Sequence, residues 1–526
     1  MGANLQTEMG NVSDAGTEVK IFRQLRAEYF RLVGMGKTDS EVLELMKKMY
    51  QNLIGDGKVV EPFGCPKVRF GRTEIQIPII TCGGMRQQST WMPKEGTTLK
   101  DIDKQCQKNF QEIVDRAMEL GINHFETASM YGTSEIQFGE CLKKFDRKSF
   151  ILQTKIAPKE NAEDFRKALN KSLENLQVEY IDLLALHGVH RKERPYIEHC
   201  LKIANEFRKE GKVKFVGFSS HEESGFICDL IETGWFDFVN LHYHFIGSYT
   251  SSGSFQREEV KLEGNNSGGS MMDPAGNYAC IKAATRHDMG VFIISANDKA
   301  GMLWKPAKVL VDCCRVSNIS PIAMNALWLW SHKHKSGAVH TISIGPARTS
   351  DFDEVVRAAK LLPKAEEVLL PVIKGLKEKA IDKLDLEWMR SWWIGLPGVY
   401  DTPTGVHVQQ IVWLHNLVSA WGMWHYACAR YRGLESNALK WSDSNTAEQN
   451  LSLMNQYVPG MPADPKIDLS LYLEASPHKE KVLMILKEAH EWFCKENEEK
   501  MESKLEERGW LAAFDLQPDV PYPERK

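Results

Sequence analysis

Between residues 68 and 362 the chain alternates short apolar, β-branched runs with longer helical stretches, eight times over. The runs are IQIPIITCGG, INHFETA, FILQTKI, YIDLLALHG, VKFVGFSS, FDFVNLHYHF, GVFIISAND and AVHTISIG. Helical spacing fills the intervals, at Asn109 to Glu119, Asn161 to Leu176, Tyr196 to Lys209, Glu222 to Thr233, Tyr278 to His287, Pro321 to Ser336 and Thr349 to Leu361. Alternation this strict calls for a parallel sheet covered on both faces. A span of about 295 residues suits a closed (β/α)8 TIM barrel.

At 526 residues the chain exceeds what one such unit needs, so three segments are expected. Residues 1–67 form an N-terminal helical extension, 68–362 the barrel and 363–526 an all-α C-terminal domain. In the first, Ile21, Phe22, Leu25 and Tyr29, then Val42, Leu45, Met46 and Met49, recur at helical spacing, and Thr38 with Glu41 makes a capping box. The string GMGKT at 34–38 reads as the turn between these helices, because Arg31 stands where a phosphate loop needs Gly and no strand precedes it. In the last segment half of the 14 tryptophans fall between Trp388 and Trp441, the mark of a packed helical region.

Composition excludes several classes. Lys and Arg number 66 against 70 Asp and Glu, for a net charge of −4, so no basic surplus points to nucleic acid. No apolar stretch approaches the ~20 residues that cross a bilayer, so no membrane partner is expected. Glu8, Asp14 and Glu18 interrupt the first 20 residues, against a signal peptide, and Gln6 stands where myristoylation wants Ser or Thr. The 11 cysteines are odd in number and contain no C-x-x-C pair, which favours reduced thiols and a cytoplasmic location.

In a barrel the residues that end the strands face the active site. The second run ends in Glu126, with Tyr131 one turn later; the third ends in Lys155 and the fourth in His187. Four titratable groups therefore converge on one rim. The stretch from Gly247 to Gly276, rich in Ser, Gly and Asn, comes after the sixth run on that same face, either as a mobile loop over the substrate or as a surface insertion.

GINHFETASMYGTSE, FILQTKI, SLENLQVEYIDLLALHG and GFSS, in this order and spacing, resemble the aldo-keto reductase family. The resemblance implies an NADP-dependent oxidoreductase that reduces an aldehyde or ketone by hydride transfer, with a small carbonyl compound as partner. It makes Tyr131 the general acid, Lys155 the cation that helps its phenol ionise, His187 the group orienting the carbonyl oxygen and Glu126 the partner of Lys155. The family carries Asp where this chain has Glu126.

For the cofactor, the resemblance assigns Ser219 and Ser220 to the nicotinamide amide, with Ser220 in place of Asn, and Asn240 where Gln is usual. SIGPARTSDFDEVV, with Gly345, Arg348 and Glu354, resembles the adenosine-phosphate segment. There Arg348 meets a 2′-phosphate at a helix N-terminus, favouring NADP, and Val355 replaces an Asn. SANDKAGML resembles a pyrophosphate loop, with Ser295, Lys299 and Gly301 as its residues. The departures at Glu126 and Val355 motivate an alternative, a catalytically weak NADP-binding regulatory or interaction protein on the same barrel.

No metal is expected. His242 and His244 sit two apart without a supporting cluster, and Cys313 and Cys314 read as packing residues at a helix start. A branch of the family carries a helical domain that binds two iron–sulfur clusters through cysteines. IGLPGVYDTPTGVHVQQIVWLHN, the CARYRGL run and QYVPGMPADPKIDLSLYL resemble it. Yet no cysteine lies between Glu387 and Gln410 or between Trp441 and Glu474, and only Cys428 and Cys494 remain in the region. The expectation is a cluster-free relative whose core is filled by aromatics such as Trp392, Trp393 and Trp413.

Overall fold

The computed structural model describes Leu45 and residues 64–247, 276–297, 306–331, 338–402, 405–442, 444–446, 449–450 and 460–511. The N-terminal helices expected over 13–56, the GMGKT string, most of the Gly247–Gly276 stretch, Lys299 and Gly301 lie outside these residues, Leu45 excepted.

The first run holds two strands. After β1 (Lys67–Arg69), β2 (Gln76–Pro78) turns back on it as an antiparallel ribbon, and β3 (Ile80–Gly83) begins after one residue. Pro78 has no N–H to extend a ladder, and the Ile79 N–H crosses to Pro66 O at 3.0 Å, one step beyond the Lys67–Pro78 pair. The chain then lays down α1 (Lys104–Glu119), β4 (His124–Glu126), α2 (Ser134–Leu142), β5 (Ile151–Ile156), α3 (Ala162–Leu176), β6 (Ile181–Leu186), α4 (Ile197–Lys209), β7 (Val213–Ser219), α5 (Ser224–Glu232), β8 (Phe238–His242), α6 (Gly276–Arg286) and β9 (Gly290–Ile294). Next come α7 (Lys308–Arg315), α8 (Pro321–Trp330), β10 (Thr341–Ile344) and α9 (Asp353–Leu361).

Strands β3 to β10 close in order as an eight-stranded barrel, every neighbouring pair parallel. Every residue of β5 and β6 is buried, as strands covered on both faces require. The one carboxylate among them, Asp182, is paired with Arg147 at 2.6 Å and Lys214 at 2.7 Å. Helix α2 has no counterpart in the sequence reading, because its nine residues include Gly139 and bury both faces, erasing the helical period. Cys313 and Cys314 fall in the last turn of α7, not at a helix start.

After Leu362 the described residues form helices and loops. The helices include α10 (Ala365–Leu384), α11 (Leu386–Ser391), α12 (Val408–Trp421), α13 (Trp424–Ala438), α14 (Lys479–Phe493), α15 (Glu498–Glu502) and α16 (Leu505–Arg508). Every residue of α12 but Ser419 is buried, so it is the central helix of this layer. Indole N–H groups act as fasteners in this layer: Trp421 of α12 donates to Leu376 O at 3.0 Å, Trp424 to Trp492 O at 2.9 Å and Trp388 to Asn416 Oδ1 of α12 at 2.8 Å. Residues 63–513 form one compact unit with a continuous apolar core. The change of element type after 362 is therefore not a gap in the packing.

Phe70, between β1 and β2, closes the bottom of the barrel. It is fully buried, 5.9 Å from the Phe238 ring and 5.6 Å from His340, and it fills the space above Gly290, where a Cβ would come within 2.5 Å of its ring. Phe70→Ala is expected to destabilise the chain by roughly 3–5 kcal/mol, the range for a large aromatic removed from a core. Urea unfolding of the two proteins measures it, and a loss below about 1 kcal/mol would show that the plug is not packed as described.

Candidate active site

Glu126, Tyr131, Lys155 and His187 come together at the C-terminal end of the barrel. Glu126 is the last residue of β4 and Lys155 the fifth of β5; both are buried, and the Lys155 ammonium contacts the Glu126 carboxylate directly. Its Nζ also donates to Thr127 O at 2.7 Å and stands 4.4 Å from the centre of the Tyr131 ring. The rings of Tyr131 and His187 meet edge to face, with centroids 5.5 Å apart. Burial pulls the Lys155 ammonium well below its ordinary pKa, and the Glu126 carboxylate beside it opposes that pull.

Local geometry explains how each group is held. Ser129 N–H and Oγ both bind Lys155 O, at 2.9 and 3.1 Å, which folds the 127–131 loop back over the end of β5. Gly132 takes φ +54°, and a Cβ there would lie 1.9 Å from Thr90 O, so only glycine lets the 89–91 loop close on Tyr131. Trp91 then stands edge-on to Tyr131 at 6.5 Å. Gly83, the register partner of Glu126 on β3, leaves room beside the carboxylate: a Cβ there would come 2.7 Å from Ser343 Oγ and 3.2 Å from Glu126 Oε2. Beneath the site, Thr81 bonds both Thr341 and His124 at 2.7 Å, and burial, with Lys155 nearby, pushes His124 down to about 3.

The expected cofactor residues divide into three groups. Ser219 and Asn240 sit side by side in register on β7 and β8. Asn240 is fully buried and neither atom of its carboxamide has a hydrogen-bond partner. Ser219 Oγ accepts from Gly188 N–H at 2.9 Å, which leaves its proton for an acceptor. These two fit a nicotinamide amide. Ser220 is committed, donating to Val189 O at 2.7 Å and accepting from Glu222 N–H at 3.1 Å; with Ser219 it supports the loop after His187.

At the end of β10, Gly345 keeps space for Arg86, whose Cδ would be 3.3 Å from a Cβ. Arg348 stands just before the short helix at Thr349–Phe352 without a side-chain capping bond, partly exposed, and uses its Nε on Asp351 at 3.1 Å. The arrangement fits a phosphate through Arg348, but Asp351 in that helix opposes an anion, as does Asp353 at the start of α9. Glu354 accepts from Ser320 at 3.2 Å, and Val355 is buried in the core. Ser295, just past β9, has a left-handed φ of +51°, a strained backbone of the kind that gathers at functional sites.

The sequence reading missed several groups. Asn325, the lone polar residue in the fully buried helix α8, donates to Ala296 O and accepts from Phe245 N–H, both at 2.7 Å, tying the ends of β8 and β9 together. A single amide in an all-apolar helix is the signal that could have found it. Asn277 holds His242 O at 2.7 Å, and the rings of His221 and His242 lie 4.7 Å apart. Among the described residues no group of three or more His, Cys, Asp or Glu is placed to hold a metal.

Glu222 and Glu223 come just after Ser220 and behave oppositely. Burial raises Glu222, but His190 at 2.8 Å and Arg191 outweigh it and hold the carboxyl below its ordinary value. Burial pushes Glu223 up to about 7, against Arg191 and with help from Glu222 and Asp401. The folded protein thus holds a proton on Glu223 between the unfolded value of 4.5 and about 7, so stability falls as pH rises through that window. The loss is about 3 kcal/mol, and Glu223→Gln is expected to remove it. Urea midpoints at pH 5 and pH 8 check this; identical pH dependence in the two proteins would mean that Glu223 ionises freely.

Residues 80–248 match the model of the aldo/keto reductase family. L-galactose dehydrogenase of Arabidopsis thaliana is 30% identical over 144 residues, 25% of this chain and 45% of the relative. NADH-specific methylglyoxal reductase of Escherichia coli is 25% identical over 203 residues, 34% of this chain and 58% of the relative. The chain thus spans less than two thirds of either relative. Among solved structures, an aldo-keto reductase from Klebsiella pneumoniae in complex with NADPH superposes with a TM-score of 0.42 at 15% identity, over 58% of this chain and 94% of that one. No described helix is long and apolar enough to cross a membrane. The residues that match the aldo/keto reductase family model lie in a closed eight-stranded parallel barrel that a helical C-terminal region follows.

Proposed function

We propose that this chain is an NADP-dependent oxidoreductase that reduces an aldehyde or ketone, with Tyr131 as its general acid. The observation that carries the reading is the Lys155 ammonium, buried against Glu126 and 4.4 Å from the Tyr131 ring. When bound, NADPH supplies the hydride that the carbonyl carbon receives. Asn240 and Ser219 are the residues for its nicotinamide amide and Arg348 the residue for a phosphate, with Gly345 and Ser295 as further cofactor residues and Glu354 and Ser220 in support.

The side chains do the rest. Negative charge grows on the carbonyl oxygen as the carbon is reduced, and the Tyr131 hydroxyl delivers its proton there. The Lys155 cation favours the phenolate that this leaves. Glu126 fixes the ammonium and offsets its burial. His187, edge-on to Tyr131, points the carbonyl oxygen at the phenol. The relatives named for a sugar and for methylglyoxal put small oxygenated carbonyl compounds first among substrates to try.

Tyr131→Phe is expected to lower kcat on a reducible aldehyde by about 10²- to 10⁴-fold, the usual contribution of a general acid, while NADPH binding by fluorescence titration stays as in the wild type. Unchanged turnover would remove Tyr131 from the mechanism. If the wild type binds NADPH tightly and transfers no hydride in a single turnover to any carbonyl of a broad panel, the chain is a binding protein instead. Arg348→Ala is expected to weaken NADPH about tenfold relative to NADH, by loss of a charge-assisted bond to the 2′-phosphate. Equal loss on both cofactors would mean that Arg348 does not read that phosphate.

A further inference from the structure

Three contacts place α12 and the chain that leads into it. Glu223, four residues past the end of β7, lies against Gly398, Val399 and Asp401. Ile246, four residues past the end of β8, accepts the indole N–H of Trp413 at 2.9 Å, and Phe245 stacks on Trp421 with centroids 5.6 Å apart. β7 and β8 are neighbours and carry Ser219 and Asn240 in register. The N-terminal part of α12 therefore sits beside the mouth of the barrel on the side of those two residues.

At about 100° per residue, Gln410 falls on the helix arc between the two tryptophans, about 60° from Trp413 and about 20° from Trp421. It is fully buried, and neither its amide nitrogen nor its oxygen has a hydrogen-bond partner. The neighbouring carboxamides are each half engaged: Gln409 donates to Leu396 O at 3.2 Å with its Oε1 unpartnered, and Asn416 accepts from Trp388 at 2.8 Å with its Nδ2 unpartnered, whereas Gln410 has both atoms unmet. A carboxamide taken from water and given no partner on the helix face that meets the barrel mouth needs a partner from elsewhere.

We infer that Gln410 is a specificity-determining residue of the substrate site, pairing with a hydroxyl that the carbonyl substrate carries away from its reacting carbon. A carboxamide donates and accepts, as a hydroxyl does, so the substrate class is the hydroxylated aldehydes. An alkyl aldehyde of equal size gives Gln410 nothing. The inference rests on the reductase reading, and it makes the C-terminal helical region part of the active site.

The test compares glyceraldehyde with butanal as substrates of the wild type and of Gln410→Leu, a near-isostere, with Gln410→Met as a second variant. Gln410→Leu is expected to raise KM for glyceraldehyde about tenfold with kcat held, to leave butanal unchanged and to keep or raise Tm, since a buried polar group without a protein partner is replaced by an apolar one. Equal KM changes on both substrates, no change on glyceraldehyde, or a fall in Tm with loss on both would overturn it. The same outcomes in Gln410→Met decide the matter if the leucine variant fails to fold. If the wild type reduces neither aldehyde, it is the reductase reading that fails. Gln410 is then read from the rise in Tm that glycerol gives the NADPH-loaded wild type over Gln410→Leu, and an equal rise in both overturns it.

Discussion

The Lys155 ammonium is buried at the end of β5 with the Glu126 carboxylate and the Thr127 carbonyl as its partners. A cation moved out of water costs far more than a single folded domain can absorb unless a counter-charge and hydrogen bonds replace its hydration. Much of the catalytic end can be understood as meeting that requirement. β4 and β5 must pair in the register that sets Glu126 beside Gln153, two residues before Lys155. Gly83 leaves space between Ser343 and the carboxylate, and the 127–131 loop must fold back onto Lys155 O. Tyr131 arrives over the ammonium as a consequence of that loop, and Gly132 with the 89–91 segment keeps it there.

The helical region joins this arrangement through aromatic side chains. Tryptophan brings a large apolar body and one N–H, so a buried indole can both fill volume and fix one carbonyl. Trp413 uses its N–H on the segment after β8, while Trp388, Trp421 and Trp424 use theirs within the helical layer. The barrel and the helices consequently share a core, and the loops after β7 and β8 are braced from the C-terminal side by residues far away in the chain. Asn325 adds a second brace between the ends of β8 and β9.

Strand order and the positions of Glu126, Tyr131, Lys155 and His187 were readable because parallel strands announce themselves as continuous apolar runs, and a barrel puts the residue that ends each run on one rim. Helix α2 was not readable, since burial on two faces removes the amphipathic period. The split of the first run into β2 and β3 turned on Pro78, whose effect depends on where Ile79 sends its N–H. Ser220 was expected to face a ligand, yet its hydroxyl is committed to the backbone on either side. Arg348 was expected at a positive helix end, and only the folded chain reveals how closely Asp351 shares that end.

By itself the sequence determined the eightfold alternation, the closed parallel barrel it implies and the helical character of the chain beyond residue 362, because period and β-branching act locally along the chain. It also determined which residue types stand at the strand ends. The tertiary structure decided which of them touch, that Glu126 lies against Lys155 with Gly83 beside it, that Glu223 is buried against residues 398–401, and that Gln410 is left on the mouth-facing arc of α12 with an unmet carboxamide. Contacts and desolvation depend on groups far apart in sequence, so no local pattern records them.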